Sequence, residues 1–361
     1  MKWHPEKPYN ELASLPPKLD VETKEILKKA VTANRALAEL KGIALTIPNP
    51  AMLITTLTLQ EAKASSEIEN ILTTNDKLYE AFSAKSENHD LSTKEVLRYR
   101  DALWEGYSQL QKRPLLTTNL FIKLVQIIKE NKAGIRNAPG TQIRNATAGK
   151  IIYTPPQGET VIREKLSSLE KFIHDYDRVD PLIKLALLHY QFEAIHPFFD
   201  GNGRTGRIIN ILFLVQNELL DLPILYLSKY IIDHKQEYYR LLNAVTAKGD
   251  WEKWILFMLD ATEQTALHTT QKIIAIKNLL DSTLITARKK LPQRVYFKEL
   301  IELIFHQPYC KTEHLVNAGL AKRQTAAEYL RELEKIKLLK SKKSGKEVLY
   351  LNTALLKLLS A

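Results

Sequence analysis

Two apolar stretches with helical spacing, Pro181–Ile195 and a run from Thr205 to about Asn217, are joined by His196-Pro197-Phe198-Phe199-Asp200-Gly201-Asn202-Gly203-Arg204-Thr205-Gly206-Arg207. Asp180 and Pro181 open the first helix as N-cap and first-turn proline. Within the junction, Gly201 and Gly203 let the backbone enter conformations that a side chain would block, so successive N–H groups can turn inward as an anion cradle. A helix beginning near Arg204 adds its positive end. Arg204 and Arg207 are three residues apart, which puts two guanidinium forks on one helical face. Asp200 stands at the mouth of the cradle, where a carboxylate can bind a phosphate-bridging magnesium. His196 is the group in this stretch that titrates near neutrality, as a general base must.

Other readings of the same residues fail on context. Gly201-x-Gly203-x-x-Gly206 matches a dinucleotide fingerprint in its letters, but that fingerprint follows a strand and this one follows a helix. A Walker loop ends in Gly-Lys-Ser/Thr, whereas here Gly206 is followed by Arg207 and Ile208. His189 and His196 lack a third ligand for a metal, and His189 reads as a core residue.

The remaining pattern is mostly helical. Residues 1–20 are proline-rich; helical spacing then covers Val21–Leu45, is broken by Pro48 and Pro50, and resumes over Leu57–Leu72. Further helices are predicted at Thr93–Lys112, Thr117–Glu130, Ile162–Tyr176, His234–Ala247, Asp250–Gln271 and Ile273–Lys290. Gly149–Pro156 is the exception, a short β-branched and aromatic segment that reads as a hairpin arm. Leu291-Pro292 reads as a boundary, after which helical patterns at Phe297–His306, Thr312–Ala318 and Arg323–Leu339 precede a basic turn and the strand-like Glu347–Leu351. The expected organisation is an N-terminal helical arm (1–112), a catalytic domain (113–290) and a winged helix-turn-helix (291–361).

Composition fits a soluble, cytoplasmic protein: 45% hydrophobic, 26% charged, no apolar run of membrane length and no secretory leader. A membrane partner is not expected. Cys310 is the lone cysteine, so an intramolecular disulfide and a thiolate-rich metal site are both ruled out. The formal charge is +11, and the segment from Arg288 onward, with 16 basic and 7 acidic residues, carries +9 of it. That segment is the candidate for a DNA or protein contact, with Arg323, Gln324 and Arg331 on the would-be recognition helix.

The stretch His196–Arg207 resembles the signature His-x-Phe-x-Asp/Glu-Gly-Asn-Gly-Arg-x-x-Arg of Fic proteins at every specified position. The resemblance implies a mainly α fold, a Fic-type helical bundle with a short β-hairpin flap, and a protein adenylyltransferase using ATP and Mg²⁺. On it, His196 takes the proton of a target Tyr, Ser or Thr hydroxyl as that oxygen attacks the α-phosphorus. Asp200 holds Mg²⁺, Gly201, Asn202 and Gly203 form the nest, and Arg204 and Arg207 bind the outer phosphates. Thr205 and Gly206 complete the ATP-binding turn. Tyr239, preceded by Tyr238, resembles an adenine-lining aromatic, and Ile151, Ile152, Tyr153 and Thr154 correspond to the flap that pairs with the target protein. A homodimer is a further expectation.

Upstream, Ser65-x-x-x-Glu69-Asn70 is similar to the family's inhibitory motif Ser/Thr-x-x-x-Glu-Gly/Asn. Ser65 and Glu69 lie one helical turn apart. Glu69 paired with Arg207 would occupy the guanidinium needed by the γ-phosphate and repel that phosphate. Glu69 could instead orient a water that removes AMP. A different class of reading also stands: a DNA-binding regulator with a nucleotide-sensing site, favoured by the basic tail and opposed by the intact His196.

Overall fold

The computed structural model describes residues 3–47, 50–83, 90–144, 149–175, 178–344 and 347–360, less the side chains of 51–53 and 344. The first four helices are α1 (Lys24–Ala44), α2 (Pro50–Ile68), α3 (Asn75–Ser83) and α4 (Leu91–Lys112). Thr23 and Asp90 cap α1 and α4, their side-chain oxygens accepting the N–H groups of Ile26 and Thr93. Pro50 opens α2 rather than breaking a helix, because the first turn needs no N–H from it. Pro48, also read as a breaker, and Tyr176, the expected end of its helix, lie outside the described residues.

Next come α5 (Thr118–Lys129), the antiparallel hairpin of β1 (Ile143–Arg144) and β2 (Ile151–Tyr153), α6 (Glu159–Asp175), α7 (Pro181–Ile195) and α8 (Asn202–Gln216). Asp180 caps α7 as expected, accepting the Leu182 N–H at 2.8 Å. The helices α7 and α8 are buried along nearly their whole length and pack on each other. Around them sit α2, α4, α5 and α6 together with α9 (Leu227–Asp233) and α11 (Trp251–Lys290). Gly106 on α4 allows the closest approach: a β-carbon there would collide with Leu212 of α8. This burial on all sides is what fixes the loop between α7 and α8.

The helix α10 (Lys235–Lys248) ends on Gly249 in the left-handed conformation. Asp250–Gln271 and Ile273–Lys290, expected as two helices, are one continuous α11. Nothing at the supposed joint breaks a helix, and Thr269, Thr270, Lys272 and Ile273 are all buried there. The N-terminal α1 packs along α11, so the arm and the centre share one core.

The C-terminal segment contains α12 (Lys298–Leu303), β3 (Tyr309–Cys310), α13 (Thr312–Asn317), α14 (Arg323–Lys335), β4 (Lys340–Ser344), β5 (Glu347–Leu351) and α15 (Thr353–Ser360). Its sheet has the order β3-β5-β4, antiparallel throughout. The unit docks on α3: the Tyr309 hydroxyl donates to Asp76, the Ser83 hydroxyl donates to the Tyr309 carbonyl, and Lys342 reaches Glu80 at 2.8 Å and Asp76 at 3.2 Å. Cys310 is buried, which pushes its thiol up to about 12 and leaves it inert. Among the described residues, no helix is long and apolar enough to cross a membrane.

Candidate active site

The site begins where α7 stops. His196 adopts the left-handed conformation (φ 48°) as the C-cap of α7, and Pro197 prevents the helix from continuing. The loop is then closed on itself. Asn202 accepts the Phe198 N–H and donates to the Phe198 carbonyl, both at 2.8 Å, while the Phe198 ring is buried near Phe192. The Asn202 side chain therefore shapes the turn, leaving its backbone to face an anion. Gly201 (φ 80°) starts α8, whose ladder begins with the Thr205 N–H on the Gly201 carbonyl at 2.9 Å. The backbone N–H groups ahead of that bond belong to the positive end of a buried helix.

Arg207, one α8 turn further on, is buried and bound three times by the end of α2 and the residue just past it. Its Nε donates to Ser65 Oγ, and its Nη2 donates to the Ser65 carbonyl and to Glu69 Oε1, all at 2.8 Å. Burial opposes the guanidinium charge, but Glu69, ahead of Tyr238 and Glu193, holds it well above its ordinary range. Gly203 makes room for this pair: a β-carbon at that position would collide with Glu69 Oε1. Asn70 ends the motif in the left-handed conformation (φ 62°) and accepts from Lys235 of α10 at 3.2 Å.

Arg204 and Arg207 share a helix but not a destination. Arg204 Nη1 donates to Glu95 of α4 at 2.6 Å, and its Nη2 lies 3.6 Å from Asp200. Lys129 of α5 joins Glu95 at 2.9 Å and Asp200 at 2.6 Å, forming a charged cluster on the side of the turn away from Glu69. Asp200 keeps its carboxylate 64% exposed within this cluster. Burial would raise its pKa, but Lys129, with Arg204 and the Gly201 N–H, holds it below the usual carboxylate value.

A cavity of about 290 Å³ lies on the Arg207 side. His196, Gly203, Arg207 and Glu69 line its polar end; Tyr190, Leu242, Thr246 and the flap residues Ile143, Ile152 and Tyr153 line its apolar end. Its size matches small-molecule sites, which combine an apolar bed with a few convergent polar groups. Both Tyr238 and Tyr239 line it; the Tyr239 ring is partly exposed, whereas Tyr238 is buried and paired through its hydroxyl with His189 Nε2 at 2.9 Å. Ile151 and Thr154 do not reach the cavity lining; Thr154 instead donates to the Pro5 carbonyl at 2.6 Å and accepts the Tyr9 N–H at 3.0 Å. Thr205 is buried in α8, and Gly206 provides the gap that Glu193 fills.

Burial, with the charge of Arg136 second, pushes the His196 imidazole down to about 4 against the opposing pull of Glu69 and Asp200. His196 is consequently neutral at physiological pH, the form that accepts a proton. Arg136 also holds the loop in place: its Nε donates to the His196 carbonyl at 2.7 Å and its Nη2 to the carbonyls of Pro156 and Ile195. Arg136, Glu193, Lys129 and Glu95 all escaped the sequence reading. For Glu193 a local signal existed, the one acid on a largely apolar helix, one turn before His196.

Three family descriptions match the chain in succession: Fic/DOC family N-terminal over residues 27–108, Fic/DOC family over 115–214, and the C-terminal domain of SoFic-like protein adenylyltransferases over 279–355. A probable protein adenylyltransferase of Aquifex aeolicus is 29% identical over 178 residues, 48% of this chain and 53% of that one. Protein adenylyltransferase fic-1 of Caenorhabditis elegans is 29% identical over 153 residues, 42% of this chain and 28% of that one. The match thus spans about half or less of these curated relatives. Among solved structures, a Fic family protein from Desulfovibrio desulfuricans superposes with a TM-score of 0.59 at 18% identity, covering 93% of this chain and 98% of its own. Fic-1 from C. elegans superposes at 0.52 with 18% identity, over 71% of this chain and 73% of that one. With Fic/DOC descriptions matched one after the other over residues 27–108 and 115–214, about half of the sequence, the chain belongs to the Fic/DOC family.

Proposed function

We propose that this protein transfers AMP from ATP to a hydroxyl of a target protein, releasing pyrophosphate, and that Glu69 restrains it. The observation that carries the reading is the meeting of a neutral, buried His196, the Gly201–Gly203 turn and Arg207 around one cavity. The target oxygen bonds to the α-phosphorus, the bond to the leaving pyrophosphate breaks, and the hydroxyl proton passes to the His196 ring. The α8 N-terminus and Arg207 offset phosphate charge, the term that dominates such transfers. Tyr239, Leu242 and the flap offer a flat apolar bed for adenine.

For Mg²⁺, the described residues hold no cluster of three or more His, Cys, Asp or Glu. Asp200 nevertheless fits this ion, which is commonly held by one carboxylate together with substrate phosphates and waters. Asp200 would hold it after parting from Lys129, and the ion would supply neutralisation of the phosphate charge.

Glu69 already occupies Arg207 and adds its own negative charge where an outer phosphate would lie. Glu69→Gly is expected to raise AMP transfer about 10–100-fold, as for loss of a charged hydrogen bond of about 1.5–3 kcal/mol. His196→Ala abolishes transfer in that released form. Intact mass spectrometry after incubation with ATP, Mg²⁺ and lysate reads both. No added AMP mass on any protein from the Glu69→Gly form would rule out the reaction.

We also propose the three-part division at residues 112 and 290, with a winged helix at the C-terminus. The exposed Lys322, Arg323, Gln324 and Arg331 support a polyanion contact there, while Lys342 of the hairpin is engaged with Asp76 and Glu80 of the same chain. A gel shift with nonspecific DNA that weakens with salt is the expected result, and no shift at low salt would remove this contact.

A further inference from the structure

The cavity contains a second carboxyl group for which the transfer reaction has no use. Glu193 projects from α7 one turn before His196 and lines the cavity with Glu69 and Arg207. Its Oε1 is buried and has no hydrogen-bond partner. It approaches α8 over Gly206, where a β-carbon would collide with Oε1, and the next residue is Arg207. The groups facing it are Arg207 from α8, Glu69 just past the end of α2, and Tyr238 and Tyr239 from α10.

An apolar helix does not retain an unpartnered carboxyl oxygen without cost. Two carboxyl groups and one guanidinium share this space, and Glu69 together with Ser65 already takes the Nη2 and Nε donors of Arg207. Once Glu69 withdraws, Arg207 is a buried cation whose remaining neighbouring carboxylate in the cavity is Glu193.

We propose that Glu193 is a positioning residue for Arg207, ionised and holding the guanidinium for the outer phosphate when Glu69 is withdrawn, and protonated when Glu69 returns. The inference rests on the reading of Glu69 as a brake. Closing the brake then takes up one proton, because two carboxylates in one buried cavity do not both ionise readily. Burial already pushes the Glu193 carboxyl up to about 7 with Glu69 in place, Arg207 pulling it down and Glu69 pushing it further up. The closed state binds the proton more tightly than the open one, so acid favours closure and base favours release.

The test measures AMP transfer from pH 6 to 8 as the ratio of the Glu69→Gly rate to the unsubstituted rate. The ratio is expected to be about three- to tenfold larger at pH 6 than at pH 8. In a Glu193→Gln background the corresponding ratio should be flat across that range. Each ratio is taken within its own background, so any effect of glutamine on the basal rate cancels. If Glu69→Gly activates but the ratio is flat with Glu193 present, or keeps its slope in the Glu193→Gln background, the positioning role falls while the brake stands. If Glu69→Gly fails to activate at every pH, the brake itself fails and takes this inference with it.

Discussion

Arg136 Nε lies 2.7 Å from the carbonyl oxygen of His196, sixty residues away in sequence, and the same guanidinium reaches Pro156 just beyond the flap. One buried side chain therefore ties the proposed base to the strand that would present the target. The bonds use two different nitrogens of a planar fork, a geometry that an ammonium cannot reproduce. Arg136→Lys keeps the charge and loses the fork. In the Glu69→Gly form its AMP transfer rate is expected to fall at least about tenfold, with ATP affinity by calorimetry changing less than about threefold, because orientation and not nucleotide binding is lost. An equal loss of affinity would place Arg136 in nucleotide binding instead.

The low proton affinity of His196 has its own consequence. An ordinary imidazole would be half protonated near 6.5 and would impose an acid limb on the rate there. Burial moves His196 to about 4, so the Glu69→Gly form should keep its rate from pH 8 down to about pH 5.5 and lose it only as pH falls toward 4. A pH–rate profile of that form under saturating ATP decides the point. A half-maximal rate near 6.5 would mean that the ring is solvated when it works.

The residues legible in the sequence were those whose neighbours in space are also neighbours in the chain. His196 to Arg207 form one turn between two helices, and its glycines, Asp200 and histidine could be assigned physical tasks from spacing alone, whereas Asn202 took its task only from the family resemblance. Glu69 is 138 residues from Arg207, and only a family resemblance joined them. Arg136, Lys129 and Glu95 carry no local pattern, since each reaches the turn through packing of α4, α5 or a connecting loop. Arg204 shows the opposite limit: helical spacing put it beside Arg207, but Glu95 draws it to the other side of the turn. Helix lengths failed for similar reasons. The nine-residue α3 is too short to hold a helix by itself, and it is supported by α4 and the C-terminal sheet. The seam expected within α11 was a reading of polar residues that the fold in fact buries.

His189 supplies the last prediction, which concerns stability rather than transfer. Its ring is fully buried between Tyr238 and Trp254, with Nε2 2.9 Å from the Tyr238 hydroxyl. Burial, and after it the charge of Arg207, pushes the ring down to about 3. Unfolded, the same residue titrates near 6.5. Above that value it is neutral in both states and contributes no pH dependence. As pH falls below 6.5, the unfolded chain takes up a proton that the native chain refuses, so stability drops until the native ring itself titrates near 3. Between pH 6.5 and 4.5 this single group should cost about 2–3 kcal/mol, measured by urea unfolding at each pH. His189→Gln removes the titration and should flatten that part of the profile, although the variant starts less stable through lost packing against Trp254. A slope unchanged by the substitution would mean that the acid sensitivity arises elsewhere in the core.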